Sequence, residues 1–214
     1  PAMSTLTRQQ LLLLVFLTLV WGFNWPMLKI GVNTYPPLTF RVISMWIGWP
    51  LLGLVVWRMG LSFRVPREHF KELAVLTVTN LLVWYSLVIL ALPHLNSGRT
   101  AILGYTMPIF SALLGYALYK DPLKPRAVGG VVCAAVAVLL LLWHELTALS
   151  GAPGALATVL FSASVWAYGT QRMRRTPMTT PTLVIAFWML GLVLPIMSGM
   201  AWVLESDRWG PPLP

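Results

Sequence analysis

The residues best equipped for chemistry are the few charged and polar groups inside long apolar runs. Three cations, Lys29, Arg41 and Arg99, fall within a turn or two of a run's end. Such a cation either snorkels its charge to lipid headgroups along an apolar stem, or turns inward and attracts a carboxylate or phosphate. Arg41 is the foremost candidate for the inward role, because a planar guanidinium matches a carboxylate at two points. A second set lies near the middle of the runs: Trp21, Asn24, Trp84, Tyr85, Tyr105, Trp166 and Tyr168. Rings with an N–H or O–H tip suit a pocket for a small amphipathic molecule, and they serve equally well in plain helix packing. Asn80 precedes Trp84 by four residues, which puts both on one helix face. Asn24 and Asn80 fit either a ligand contact or an interhelical hydrogen bond.

What the runs lack is as informative. All six acids lie in loops or at run ends. A pathway for cations normally needs a buried carboxylate, and a ring face is a weak substitute. A substrate that is not cationic by preference follows. His69, His94 and His144 are far apart and lack metal-ligand spacing. No serine has a buried base near it, and neither the Gly-rich nucleotide fingerprint nor the P-loop pattern occurs. We expect no catalytic residue, no metal and no cofactor.

The elements that must position these groups follow from composition. The chain is 57% hydrophobic and 10% charged, where a soluble domain carries about 25% charged residues. It could not cover a globular surface with polar groups, but a lipid-facing surface should be apolar. A bilayer span needs about 20 apolar residues. Seven runs qualify: 11–32, 37–57, 73–92, 98–119, 127–143, 152–171 and 182–204, the fifth being short. The first is too long for a signal-peptide core and shows no cleavage pattern before Gly31, so it reads as a retained helix. The fold class expected is all-α, a polytopic transmembrane bundle.

Charge placement supports that threading. Arg8, then Arg58, Arg64, Arg67 and Lys71, then Lys120, Lys124 and Arg126, then Arg172, Arg174 and Arg175 occupy alternate junctions. That places 11 of the 15 basic residues on one side. Cation-rich loops stay cytoplasmic, so the N-terminus is expected inside. The net charge of +9 is scattered in small groups rather than gathered in a stripe, which excludes a nucleic-acid partner. Pro26, Pro50, Pro108 and Pro195 are expected to interrupt four runs as kinks or hinges, each freeing a carbonyl that lipid cannot satisfy. Gly130 and Ala134 form a small-xxx-small face on the fifth helix that fits close helix contact or a homodimer seam. Cys133, the single cysteine, reads as a small packed residue.

The sixth and seventh runs echo the first two. Val20-Trp21 matches Val165-Trp166, and Val42-Ile43-Ser44-Met45-Trp46 matches Val184-Ile185-Ala186-Phe187-Trp188. A first copy of five spans makes the second enter the membrane from the opposite face, the inverted repeat of many secondary transporters. Residues 1–150 would hold the first copy and residues 151–214 two spans of an incomplete second copy. Truncation of a longer protein is the expectation that follows.

These residues resemble the EamA-type members of the drug/metabolite transporter superfamily. Leu19-Val20-Trp21-Gly22-Phe23-Asn24-Trp25 is similar to that family's opening Trp-Gly helix, and Pro37-Leu38-Thr39-Phe40-Arg41 to its second start. The stretch from Leu103 to Leu142, with Pro108, Leu113-Leu114-Gly115 and Gly129-Gly130, fits best, and Gly154 to Tyr168 resembles the opening of the second repeat. Lys120-Asp121 stands where the family usually has Gly-Glu. The resemblance implies a secondary transporter in the bacterial inner membrane, exporting amino acids or similar small metabolites by alternating access. The partners implied are a small-molecule metabolite and the lipid bilayer. The alternative is a truncated, non-transporting scaffold of the same fold.

Overall fold

The computed structural model describes residues 7–123, 125–147 and 152–210. Lys124, the 148–151 junction with the expected repeat boundary, and the 211–214 tail lie outside the described residues. Regular structure among the described residues is entirely helical. The helices are α1 (Arg8–Thr34), α2 (Pro37–Arg58), α3 (Phe70–Thr77), α4 (Val83–Ala91), α5 (Ser97–Gly104), α6 (Met107–Tyr119), α7 (Pro125–Thr147), α8 (Pro153–Arg174) and α9 (Thr182–Glu205). α3 and α4 join through a π turn, Val78–Leu82, into one rod spanning Arg67–His94. α5 and α6 form the rod Ser97–Tyr119, broken at Tyr105 and Thr106.

The helices coincide with the seven expected runs. The rods of α1, α2, α3–α4, α5–α6 and α9 are each long and apolar enough to cross a bilayer. α7 offers a shorter apolar stretch, Pro125–Leu141. α8 is the least apolar long helix because it is the most enclosed. It packs against α3, α4, α5, α6 and α7, so Ser162, Gly169 and Gln171 face protein instead of lipid. Exposed apolar side chains run the length of α1, from Leu11 to Ile30, as suits a lipid-facing helix.

Several long-range contacts of charged side chains join helix ends that the alternating threading puts on the same face. On the cation-rich face, Arg172 grips Glu72 with Nε–Oε1 at 2.9 Å and Nη2–Oε2 at 2.6 Å. Arg175 pairs with Asp121 and stacks 4.1 Å over Tyr119. Gln171 donates to the Ser111 carbonyl at 2.5 Å. On the opposite face, Lys29 Nζ donates to the carbonyls of Leu92, Pro93 and Leu95 at 2.8, 2.9 and 2.7 Å. A cation there closes a helix C-terminus whose carbonyls have no partner of their own. Glu205, itself buried, does the reverse for α2. Its carboxylate accepts from the Leu38 and Thr39 N–H groups at 2.9 and 2.8 Å. The helix begins Pro36-Pro37 and has no side-chain cap of its own, so this acid from α9 supplies one.

α2 and α9 cross through interlocking rings and glycines. Trp49 stacks on Phe187 at 5.2 Å between ring centroids. A Cβ on Gly53 would lie 2.9 Å from Phe187, and one on Gly191 3.0 Å from Trp49. Trp49 Nε1 donates to the Phe187 carbonyl at 3.1 Å.

Three of the four prolines lie within helices instead of at breaks. Pro26, Pro50 and Pro195 sit inside α1, α2 and α9, which continue through them. A helix accommodates one missing N–H when the turns on either side are held by packing. Pro108 alone coincides with a break, entering the first turn of α6, where no N–H is needed. The π turn falls in a stretch with neither Gly nor Pro. Its Asn80 Nδ2 bonds back to the Leu76 carbonyl at 3.0 Å. The Gly130 side of α7 is exposed with open space around it, while Ala134 lines a groove against α6.

α6 ends on a left-handed αL cap: Lys120 N–H donates to the Tyr116 carbonyl, four residues back, at 3.0 Å, and Asp121 N–H reaches the Gly115 carbonyl at 3.1 Å. Lys120 is thereby held at φ 57°, in left-handed space. This is the position where the resembled family carries glycine. Lys120→Gly should therefore stabilise the chain by about 1 kcal/mol, read as a higher melting temperature in detergent; an unchanged or lower value would refute the strain. Gly169→Ala should destabilise by about 1–3 kcal/mol through overpacking, since a Cβ there would sit 2.6 Å from Asn80 Nδ2 and Thr79 Oγ1. Gly129→Ala, with open space around it, should not lower the melting temperature, and equal losses at both positions would contradict this packing.

Candidate functional site

α1 contributes a single stripe: Trp21, Asn24, Trp25 and Leu28 recur at helical spacing and line one cleft. α4 adds Trp84, Tyr85 and Val88, α2 adds Arg41, and α8 adds Trp166. The α5–α6 break completes the wall with Gly104, Tyr105, Met107 and Pro108. The volume is about 430 Å³, within the range of small-molecule pockets. Among its lining residues Arg41 bears the sole formal charge and none is acidic.

Arg41 is the unusual member. Its guanidinium carbon lies 4.2 Å from the centroid of the Tyr85 ring. The side chain makes no hydrogen bond or ion pair with any described residue, and its Nε is sealed from solvent without a partner. A cation over a phenol face gains about 0.5–2 kcal/mol. That leaves the charge poorly compensated for an environment where buried charges are normally paired. The Trp25 indole N–H is a second buried donor without a partner, and an unsatisfied donor of that kind costs about 1–3 kcal/mol.

The aromatic wall depends on a glycine. Trp84 and Trp166 lie 4.6 Å apart at 39°. A Cβ on Gly104 would meet Trp84 at 3.1 Å and Trp25 at 3.3 Å, so a larger residue there would make the two indoles give way. Gly104 lines the cleft through its backbone alone. Four residues on, Pro108 has no N–H to give its carbonyl. The Ile109 N–H turns to the Thr106 carbonyl at 3.0 Å.

Seven of the ten candidate residues named from sequence meet here: Trp21, Asn24, Arg41, Trp84, Tyr85, Tyr105 and Trp166. Three lie elsewhere. Asn80 is buried against Gly169, below the cleft on the π turn. Arg99, one turn into α5, reaches His144 on α7 at 2.8 Å. Tyr168 faces a neighbouring apolar groove between α6 and α8, and its hydroxyl accepts from Arg172 at 3.2 Å. Of the hinge candidates only Pro108 touches the cleft. Sequence reasoning missed Trp25, Gly104 and Val88 as site residues. Trp25 stands four residues after Trp21 and Val88 four after Trp84, a spacing that could have found both. A wider depression of about 740 Å³ at the cation-poor face includes Glu205, but that carboxylate is occupied at the α2 N-terminus. No His, Cys, Asp or Glu cluster that could hold a metal occurs among the described residues.

Comparison with known proteins agrees with this architecture. Over 92% of its length the chain is 28% identical to the Uncharacterized transporter YvbV of Bacillus subtilis (strain 168), and it covers 62% of that protein. It is 27% identical to the Uncharacterized transporter YoaV of the same organism over 62% of this chain and 46% of that one. Protein PagO of Salmonella typhimurium is 23% identical over 92% of this chain and 65% of its own length. The chain thus spans about half to two thirds of these relatives. A crystal structure with 17% identity superimposes at a TM-score of 0.65, over 96% of this chain and 71% of the other, which shows a shared fold. The family model for EamA-like transporters matches residues 9–143. With its stacked apolar helices and that match over most of its length, the chain is a multi-pass membrane protein that belongs to the EamA-like transporter family.

Proposed function

We propose that this chain forms much of the solute pathway of a secondary transporter. It would move amino acids or similar small metabolites outward across the bacterial inner membrane by alternating access. The observation that carries the reading is the cleft, where one guanidinium without a counter-ion stands among indoles and phenols. Such a site gives a small organic solute an apolar wall and a fixed electrostatic handle. The bacterial relatives named as transporters support the same class. In this reading the cation-rich face is cytoplasmic, and the N-terminus lies there.

The inverted repeat belongs to the proposal, with residues 1–150 as its first unit and 151–214 as the start of its second. Its support is geometric. The offset that carries Val42 to Val184 also carries Trp49 to Gly191, and these two residues touch where α2 and α9 cross. Contact between matched positions is what a two-fold axis in the membrane plane would produce. The exposed Gly130, on the small-residue face it shares with Ala134, supports a homodimer seam through α7.

Alternating access requires the cation-rich end to open in turn. Two clasps hold it here, Glu72–Arg172 and Asp121–Arg175. They are partly exposed, so each is worth about 1 kcal/mol or less, weak enough to release in each cycle. Glu72→Gln should raise the rate at which a thiol reagent, applied from the cytoplasmic side, reaches Ser111→Cys in a Cys133→Ala background by about fivefold. An unchanged rate would remove the clasp from the gating cycle.

Liposomes holding the full chain should release preloaded, labelled amino acids or hydroxy acids. Arg41→Ala should slow that release by about tenfold or more, as expected for loss of one charge-assisted contact, whereas Arg64→Ala should match the parent. Equal effects at the two arginines would remove the proposed role of Arg41. No release by the parent chain would instead identify a non-transporting membrane scaffold.

A further inference from the structure

We infer that the cleft selects organic monoanions with a flat apolar body over zwitterions of the same size. This rests on the reading of the cleft as the solute site and shifts its substrate class, within small metabolites, from amino acids toward carboxylates without an ammonium.

The argument is a charge count. Arg41 contributes the sole formal charge among the cleft-lining residues. Its face-on partner is the Tyr85 ring, which carries no opposite charge. Two ionic groups toward the same end of the bundle are occupied. Lys29 is held by three carbonyls and Glu205 by two backbone N–H groups of α2. Nothing described on this chain neutralises Arg41, so the cleft carries about one positive charge in a low-dielectric setting.

A zwitterion brings no net charge. Its carboxylate would meet Arg41, but its ammonium would enter the same cleft of about 430 Å³ with no carboxylate to receive it and a guanidinium nearby. The groups left to accept an ammonium are neutral ones, such as the Asn24 amide and the Gly104 carbonyl freed by Pro108. A monoanion cancels the guanidinium and leaves no second charge to solvate. The tilted Trp84–Trp166 pair, 4.6 Å apart, and the sealed Trp25 indole give the body of such a molecule a flat, apolar wall.

Three probes share one ring and differ in charge: hydrocinnamate (monoanion), phenylalanine (zwitterion) and phenethylamine (cation). Binding to the purified full chain in detergent, measured by calorimetry, should favour hydrocinnamate over phenylalanine by about tenfold or more, with phenethylamine weakest. Arg41→Gln should erase that preference, Arg41→Lys should keep it, and Trp166→Ala should weaken the first two probes alike. Equal melting temperatures for the Gln and Lys variants would show that folding is not the cause. If phenylalanine binds as tightly as hydrocinnamate, and Arg41→Gln weakens both, selection for monoanions is wrong while the solute site stands. If no probe binds, or if Arg41→Gln and Trp166→Ala leave binding untouched, the solute site and the selection fall together.

Discussion

Lipid offers no hydrogen bonds, so each polar group in this bundle must find its partner on another helix or within its own. That constraint explains why α1 ends where Lys29 can reach the carbonyls that close the Arg67–His94 rod. It explains why α2, which starts on two prolines, borrows its cap from the last acid of α9. It also explains why Glu72 and Arg172, a hundred residues apart, form a bidentate pair. These contacts sit at the ends of rods, where lipid gives way to headgroups and water. Arg41, one turn into α2, is the charged departure. It faces a ring and a cleft where the rule would place an acceptor, and the reading of function grows from that departure.

The cleft has its shape because the two rods beside it are irregular. The Ser97–Tyr119 rod breaks at Tyr105 and Thr106, and the Arg67–His94 rod loosens into a π turn below Trp84. Discontinuous helices at membrane depth are tolerated where they line a cavity or are enclosed by protein. Here one lines the cleft, and the other is enclosed by α8 and α9. Glycines set the remaining dimensions, with Gly104 admitting two indoles and Gly169 admitting the π turn.

Much of this was legible in the sequence because membrane helices obey few rules. Apolar length located the rods, and alternating cations ordered them by face. Central aromatics and misplaced cations proposed the cleft, and Trp21, Asn24, Arg41 and Trp84 do share one. What sequence could not supply was direction. Arg41 and Arg99 look alike in the chain, yet one turns to Tyr85 and the other to His144. Proline marked a break only at Pro108, because whether a helix stops at a proline depends on neighbours that hold or release the turn. The π turn has no residue signature, since it arises where Thr79 and Asn80 are pressed against Gly169. From sequence Glu205 was one of six acids in loops or at run ends; its role depends on a contact with α2 that only the folded chain reveals.

Water access to the cleft tests the central claim most directly. Cysteine can be placed at Asn24 or Tyr105 inside the cleft, and at Val136 on the exposed face of α7, in a Cys133→Ala chain embedded in a bilayer. A small anionic methanethiosulfonate should modify the two cleft positions, slowed by hydrocinnamate, and leave Val136→Cys unmodified. A cleft that is only a lipid-filled gap between packed helices would leave Asn24→Cys and Tyr105→Cys as unreactive as Val136→Cys.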